Sequence, residues 1–155
     1  MFLGVWLEKK GLSPEEELRR LVAELQVLEE LANSLQTRIG VIEAAITELR
    51  TAQRTLEGLE KEGVESELLI PIGGSSFITA RLQSIEKIVV GVGAGVAVEK
   101  SLEDAKKSIS ERIATMERAR DAYRARLGEV LKRLQAGRDR AQALASELRR
   151  WGEGA

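Results

Sequence analysis

The chain has 155 residues, of which 32% are charged, 43% apolar and only 3% aromatic. This is one domain's length, too apolar for a disordered chain and too poor in large rings for an ordinary compact core, so it points to long helices that bury a narrow stripe. A net charge of −1 draws no nucleic acid, and the absence of Cys and His excludes disulfide scaffolds, Cys/His zinc sites and Ser-His-Asp or Cys-His nucleophiles.

Residues 1–12 form an N-terminal extension. Met1 to Leu7 is apolar but short, and Glu8, Lys9 and Lys10 follow the apolar run instead of preceding it. That order is wrong for a secretory signal. No stretch approaches the roughly 20 apolar residues that span a bilayer. No membrane partner and a cytoplasmic location are therefore expected.

A first helix is predicted over 13–62. Ser13, Pro14 and Glu16 supply an N-cap, a pre-set N1 and the N3 acid of a capping box. Apolar residues then recur every 3.5 positions. Leu18, Leu25, Ala32, Ile39 and Ile46 occupy a positions, and Leu21, Leu28, Leu35, Ile42, Leu49 and Leu56 occupy d positions. Over more than five heptads, interrupted only by Gln53, this is a coiled-coil seam. Gly63 suits the C′ position.

The segment 64–100 changes period. Apolar β-forming runs flank Gly73-Gly74, and a second pair, Ile85–Val92 and Val96–Val98, flanks Gly93-Ala94-Gly95. Both read as hairpins. Pro71 suggests an edge or a bend. Four short strands make a thin sheet with open edges that must be covered. A coiled coil cannot cover a sheet face, so the sheet is expected to be completed by other subunits.

A second helix is predicted over 101–151, opened by Ser101 with acids at Glu103 and Asp104. Its seam is interrupted at Lys106, Arg120 and Gly137. The two arms have nearly equal length, roughly 75 Å each. Residues 13–62 carry 6 basic and 11 acidic side chains, and residues 101–151 carry 13 and 8, so the balances are −5 and +5. Opposite signs favour pairing the arms with each other. The expected fold class is α+β: a long antiparallel α-helical coiled-coil hairpin with two β-hairpins at the bend.

Folding back brings the two chain ends together, and that end is rich in large apolar groups. Phe2, Leu3, Val5, Trp6, Leu7, Leu18, Leu21, Leu144, Leu148 and Trp151 are the candidate substrate-binding residues of this tip. Exposed apolar clusters are a liability unless they bind something, and many weak contacts suit a partner without fixed structure. The competing reading is that the N-terminal segment closes over the seam as a staple. Leu68, Leu69, Ile70, Ile72, Phe77, Ile78, Ile88, Val89, Val90, Val96 and Val98 are the candidate oligomerisation residues, some of them packing within the subunit.

Other motifs carry less. Gly91-Val-Gly93-Ala-Gly95 lacks the third small residue of a dinucleotide loop and leads into another β-like run, so it reads as a turn. Glu99 stands where a P-loop needs glycine. The basic run from Arg118 to Arg126 is interrupted by an acid and lies opposite an acidic arm, so it reads as a solvated, salt-bridged face. The acidic pairs Glu15–Glu17 and Glu29–Glu30 are on exposed faces with nothing to tune a pKa. No enzyme, cofactor or metal is expected.

The stretches Leu68-Leu-Ile-Pro-Ile-Gly-Gly-Ser-Ser-Phe-Ile78 and Ile88-Val-Val-Gly-Val-Gly-Ala-Gly-Val-Ala-Val-Glu-Lys-Ser101, within a helix–two hairpins–helix plan, resemble the archaeal prefoldin alpha subunits. The likeness covers residues 13 to about 150, with residues 1–11 departing from it. Two hairpins select the alpha type over the one-hairpin beta type. The resemblance implies an ATP-independent chaperone subunit. It also implies a heterohexamer of two alpha and four beta prefoldin subunits joined through a β-barrel platform, coiled-coil tips that grip non-native polypeptides, and delivery to a group II chaperonin. The alternative is a structural coiled-coil scaffold without chaperone activity.

Overall fold

A computed structural model describes residues 11–154. The element order is α1 (Pro14–Glu62), β1 (Glu67–Gly73), β2 (Ser76–Arg81), β3 (Ile88–Gly93), β4 (Val96–Lys100) and α2 (Leu102–Glu153). The chain divides into two compact units. One contains the residues up to Gly40 together with those from Asp121 onward, and the other is Val41–Arg120.

Both helices start where the cap chemistry dictates. Ser13 Oγ accepts from the Glu16 N–H at 3.2 Å, and Glu16 Oε2 accepts from the Ser13 N–H at 3.3 Å, a reciprocal capping box. Ser101 Oγ accepts from the Asp104 N–H at 3.2 Å. At the other end of α1, Gly63 has φ +81° and donates its N–H to the Leu59 carbonyl. Glycine meets no steric penalty there.

In the first unit the helices run antiparallel, as their pairs show. Glu17 meets Arg140, Glu29 meets Arg138, and Arg38 meets Tyr123. Ala32, Leu35, Val130 and Leu134 form the buried seam, with Leu25, Leu28, Leu31, Tyr123 and Leu127 packed around it. Arg38 lies over the Tyr123 ring, 5.9 Å from its centroid, and donates to its hydroxyl. Cation and ring attract here in the ordinary way. Gly137 breaks the apolar seam in sequence but not in space, because a Cβ added there would lie 2.7 Å from Leu25 Cδ2.

The second unit holds the remaining helix turns and all four strands. The first hairpin pairs Glu67 with Arg81 through Pro71 with Phe77, and the second pairs Ile88 with Lys100 through Gly91 with Ala97. The strands form two separate two-stranded ribbons. These are the two hairpins expected from the sequence, separate from each other and not joined into one thin sheet. The connection explains it: the Glu86 N–H donates to Ser84 Oγ, a local bond that turns the chain before β3 starts at Ile88 instead of Ile85. Both turns carry two central residues with positive φ, Gly74 (+56°) with Ser75 (+58°), and Ala94 (+50°) with Gly95 (+75°). That is the tight-hairpin geometry whose twist matches the strands.

The core of this unit joins helix to ribbon. Leu56, Val90, Ala105, Ile109 and Ile113 are buried together, and Leu49, Ala52, Ile88 and Leu102 pack on them. Val90 and Ile88 project from the same face of β3 onto the helices. Arg112 on α2 donates to the Gly91 carbonyl at 2.9 Å and ties strand to helix. Ala105, fully buried, occupies the seam where the heptad reading placed Lys106. Lys106 instead bonds to Glu60. That hydrogen bond, opposed by desolvation and aided by Glu60, Glu103 and Glu57 charge, holds the ammonium above its ordinary pKa.

Candidate binding surfaces

In a two-stranded ribbon every strand is an edge, and a lone hairpin is marginal in water. The first ribbon is apolar on both faces. Ile70 opposite Ile78, with Leu68 and Ile72, lies on one face, and Leu69 and Pro71 with Phe77 lie on the other. Leu68 is half-buried, whereas Leu69 (68%), Ile72 (61%) and Phe77 (57%) are widely exposed, as are Ile70 and Ile78. The second ribbon is different. Its inner face is taken by Val90 and Ile88, and Val89, Val96 and Val98 remain exposed.

Two of the residues expected to serve oligomerisation thus have an inward role. Val90 is 7% exposed and belongs to the core, with Ile88 beside it. Val92 and Val64, both exposed, are surface residues that the sequence reading misses. The alternation Ile88–Val90–Val92 is the signal for Val92, which continues past the helix-covered stretch.

In the first unit, the α1 start and the α2 end lie side by side. Arg140 Nε and Nη2 donate to the two Glu17 carboxylate oxygens at 3.0 and 3.2 Å. Of the predicted tip residues, Leu18, Leu21 and Leu148 are half-buried and Trp151 is exposed. Leu144 is 1% exposed, the largest fully buried side chain among the described residues. This corrects its assignment as a surface contact, since a d-position leucine is consumed by the seam. Phe2, Leu3, Val5, Trp6 and Leu7 lie outside the described residues. Leu12, also exposed and unpredicted, borders an open cleft of about 450 Å³ with Leu21, Arg20 and Glu24.

Among the described residues no polar or charged side chain is buried, and no group of three metal-ligating side chains occurs. The glycine run 91–95 closes a hairpin and continues into β4, so no helix N-terminus faces a phosphate. In the basic run, Arg118 bonds to Thr115, and Arg120 and Arg124 are each engaged. No helix among the described residues is long and apolar enough to cross a membrane.

Residues 28–147 match the family model for the prefoldin subunit. The chain is similar to the prefoldin subunit alpha of Methanopyrus kandleri, 36% identical over 106 residues that cover 68% of each protein. It is also similar to that of Pyrococcus horikoshii, 34% identical over 119 residues, covering 76% of this chain and 80% of the relative. Among solved structures it resembles a filamentous PFD from Methanocaldococcus jannaschii, with a TM-score of 0.58 and 25% identity. That match covers 78% of this chain and 94% of the other.

Proposed function

Because this chain belongs to the prefoldin family, we propose that it is an alpha-type subunit that captures non-native polypeptides without nucleotide and passes them to a group II chaperonin. Prefoldin is a chaperone family and not a family of enzymes, which supports the reading of the chain as a chaperone subunit. The finer steps are our reading of its surfaces.

Assembly is assigned to the hairpins. One observation carries this: the first ribbon is apolar on both faces and covered on neither, with Leu69, Ile72 and Phe77 all more than half exposed. A two-stranded ribbon of this kind becomes stable when strands and side chains from neighbours complete it. The partners proposed are beta-type prefoldin subunits, in a heterohexamer of two alpha and four beta chains, working in the cytoplasm. Mixing the two subunit types and measuring the native mass tests the stoichiometry.

Client capture is assigned to the end of the first unit, through Leu18, Leu21, Leu148, Trp151 and the N-terminal side chains Phe2, Leu3, Val5, Trp6 and Leu7. Exposure of Trp151 beside half-buried leucines supports the reading. Many weak apolar contacts hold a chain that offers no fixed shape. The assembled protein should slow aggregation of a denatured client with no nucleotide present. Unchanged aggregation would count against capture.

A second reading has one observation in its favour. The matched solved structure is of a filamentous PFD. A subunit with two distinct hairpins can join head to tail, and such contacts close into rings or run on as filaments. Copies of this chain would then build a structural scaffold. A large, heterogeneous mass for the chain alone, with no effect on client aggregation, would favour that reading.

A further inference from the structure

In the first unit the antiparallel seam sets like heptad positions of the two helices against each other. Glu17 pairs with Arg140. Counting seven forward on α1 and seven back on α2 then sets Glu24 against Arg133, and Leu31 against Arg126. Neither of these arginines finds a carboxylate. Glu24 is taken by Arg20 of its own helix at 3.1 Å, and Leu31 has no charge to offer. Among the described residues Arg126 and Arg133 have no bonding partner, and both are exposed. Arg38, the next residue of this flank on α1, donates to the neutral Tyr123 hydroxyl. Against these three cations stands Glu129, which is exposed and bonds to neither free arginine. The flank is therefore net positive.

Between the two free arginines the surface is apolar. An open cleft of about 570 Å³ is lined by Val27, Leu28 and Leu31 of α1, by Arg133 of α2 and by the bonded Arg20–Glu24 pair. Val27 and Leu28 fall between Glu24 and Leu31 in sequence, and so between the levels of Arg133 and Arg126. Val27 is 64% exposed. Leu31 follows Leu28 by three residues and Val27 by four, the spacing of a ridge on which another helix packs. Arg126 and Arg133 are one heptad apart, roughly 10.5 Å along the axis. A helix can match that spacing with two residues of one face, whereas same-face residues of a strand are separated by roughly 7 or 14 Å.

We propose that this flank docks a helix of a partner protein: an amphipathic helix with two acidic side chains one heptad apart and apolar side chains between them. The acids meet Arg126 and Arg133, and the apolar residues cover Val27, Leu28 and Leu31. A guanidinium–carboxylate pair at the edge of a covered apolar surface is stronger than one in open water. The docking surface uses none of the side chains assigned to client capture, so it does not rest on that reading.

The probe is a synthetic peptide of roughly 21 residues, long enough to hold a helix. It is built on alanine and glutamine, with glutamates one heptad apart and leucines between them. A second peptide carries lysine at both glutamate positions. Fluorescence anisotropy reads the binding of each to the full-length chain. The acidic peptide should bind, and the lysine peptide about tenfold less tightly. In the double variant Arg126→Glu, Arg133→Glu that order should reverse, which mere loss of fold would not produce. Val27→Ser should weaken binding of the acidic peptide. No binding, equal binding of both peptides or an unreversed order would overturn the proposal. So would undiminished binding of an acidic peptide broken by a central proline, which makes the occupant an extended segment. Self-association of the chain that the double variant abolishes would put a second copy on the flank and overturn it too. Capture is read by aggregation of a client, so either idea can fail without the other.

Discussion

Leu25 occupies the space that a side chain at position 137 would need: a Cβ on Gly137 would fall 2.7 Å from Leu25 Cδ2. A glycine inside a long helix costs about 1 kcal/mol relative to alanine, and here that cost is offset by the leucine it admits. Gly137→Leu is expected to lower stability by about 1–3 kcal/mol through overpacking. Gly40, Gly58 and Gly128 have open space around them, with no neighbour within 4 Å of the point where a Cβ would stand. Each is expected to gain about 1 kcal/mol on replacement by alanine. Thermal unfolding of the four variants checks the contrast, and a gain at position 137 matching the others would contradict it.

Leu144 and Trp151 are one heptad apart and have opposite fates, one 1% and the other 67% exposed. Leu144→Ala should cost about 2–5 kcal/mol in unfolding experiments. Trp151→Ser should leave the melting temperature nearly unchanged and weaken client holding. If the tryptophan change destabilised as much as the leucine change, Trp151 would belong to the seam.

Phe77 and Val90 divide the β region in the same way. Phe77→Asp is expected to abolish the native-mass shift on mixing with a beta-type subunit, while far-ultraviolet circular dichroism keeps its helical amplitude. Val90→Ala removes a buried group from the helix–ribbon core and should cost about 2 kcal/mol. Retained assembly of Phe77→Asp would remove this ring from the interface.

Ala94 sits at φ +50° in the second turn. An L-residue with a Cβ pays about 1–2 kcal/mol there. Ala94→Gly relieves that strain but frees the unfolded chain, so a net gain of about 0.5–1 kcal/mol is expected. Chemical denaturation would read it, and a loss of stability would contradict it.

Lys106 gives a signed pH dependence. Its folded pKa is raised, chiefly by the hydrogen bond to Glu60. The contribution is therefore fully present below the unfolded lysine value, near 10.4. It is lost as pH climbs through the higher folded value. Lys106→Met should flatten the alkaline limb of a stability–pH curve and leave neutral and mildly acid behaviour alone.

Much of this architecture can be read from the residues. Ser13 with Glu16, the 3.5-residue leucine spacing and the Gly-rich turns are local signals, and local chemistry decides helix starts and hairpin positions. The opposed charges of the arms also translate into pairs: Glu17, Glu29 and Glu60 on α1 meet Arg140, Arg138 and Lys106 on α2. What escapes is three-dimensional. Heptad counting puts Lys106 in the seam because it cannot register the ribbon that Val90 and Ile88 bring against α2, where Ala105 turns inward instead. It scores Gly137 as a flaw because the compensating leucine is on the other helix. Leu144 falls at a heptad d position and is buried accordingly; only its nearness to a chain end suggests a surface role.

No backbone ladder connects β2 to β3, so each ribbon has strand edges of its own. Under the proposed assembly, the subunit is a two-handed coupler. Blocking one hand by mutation should leave a chain terminator that caps growing complexes, while the other hand still grips.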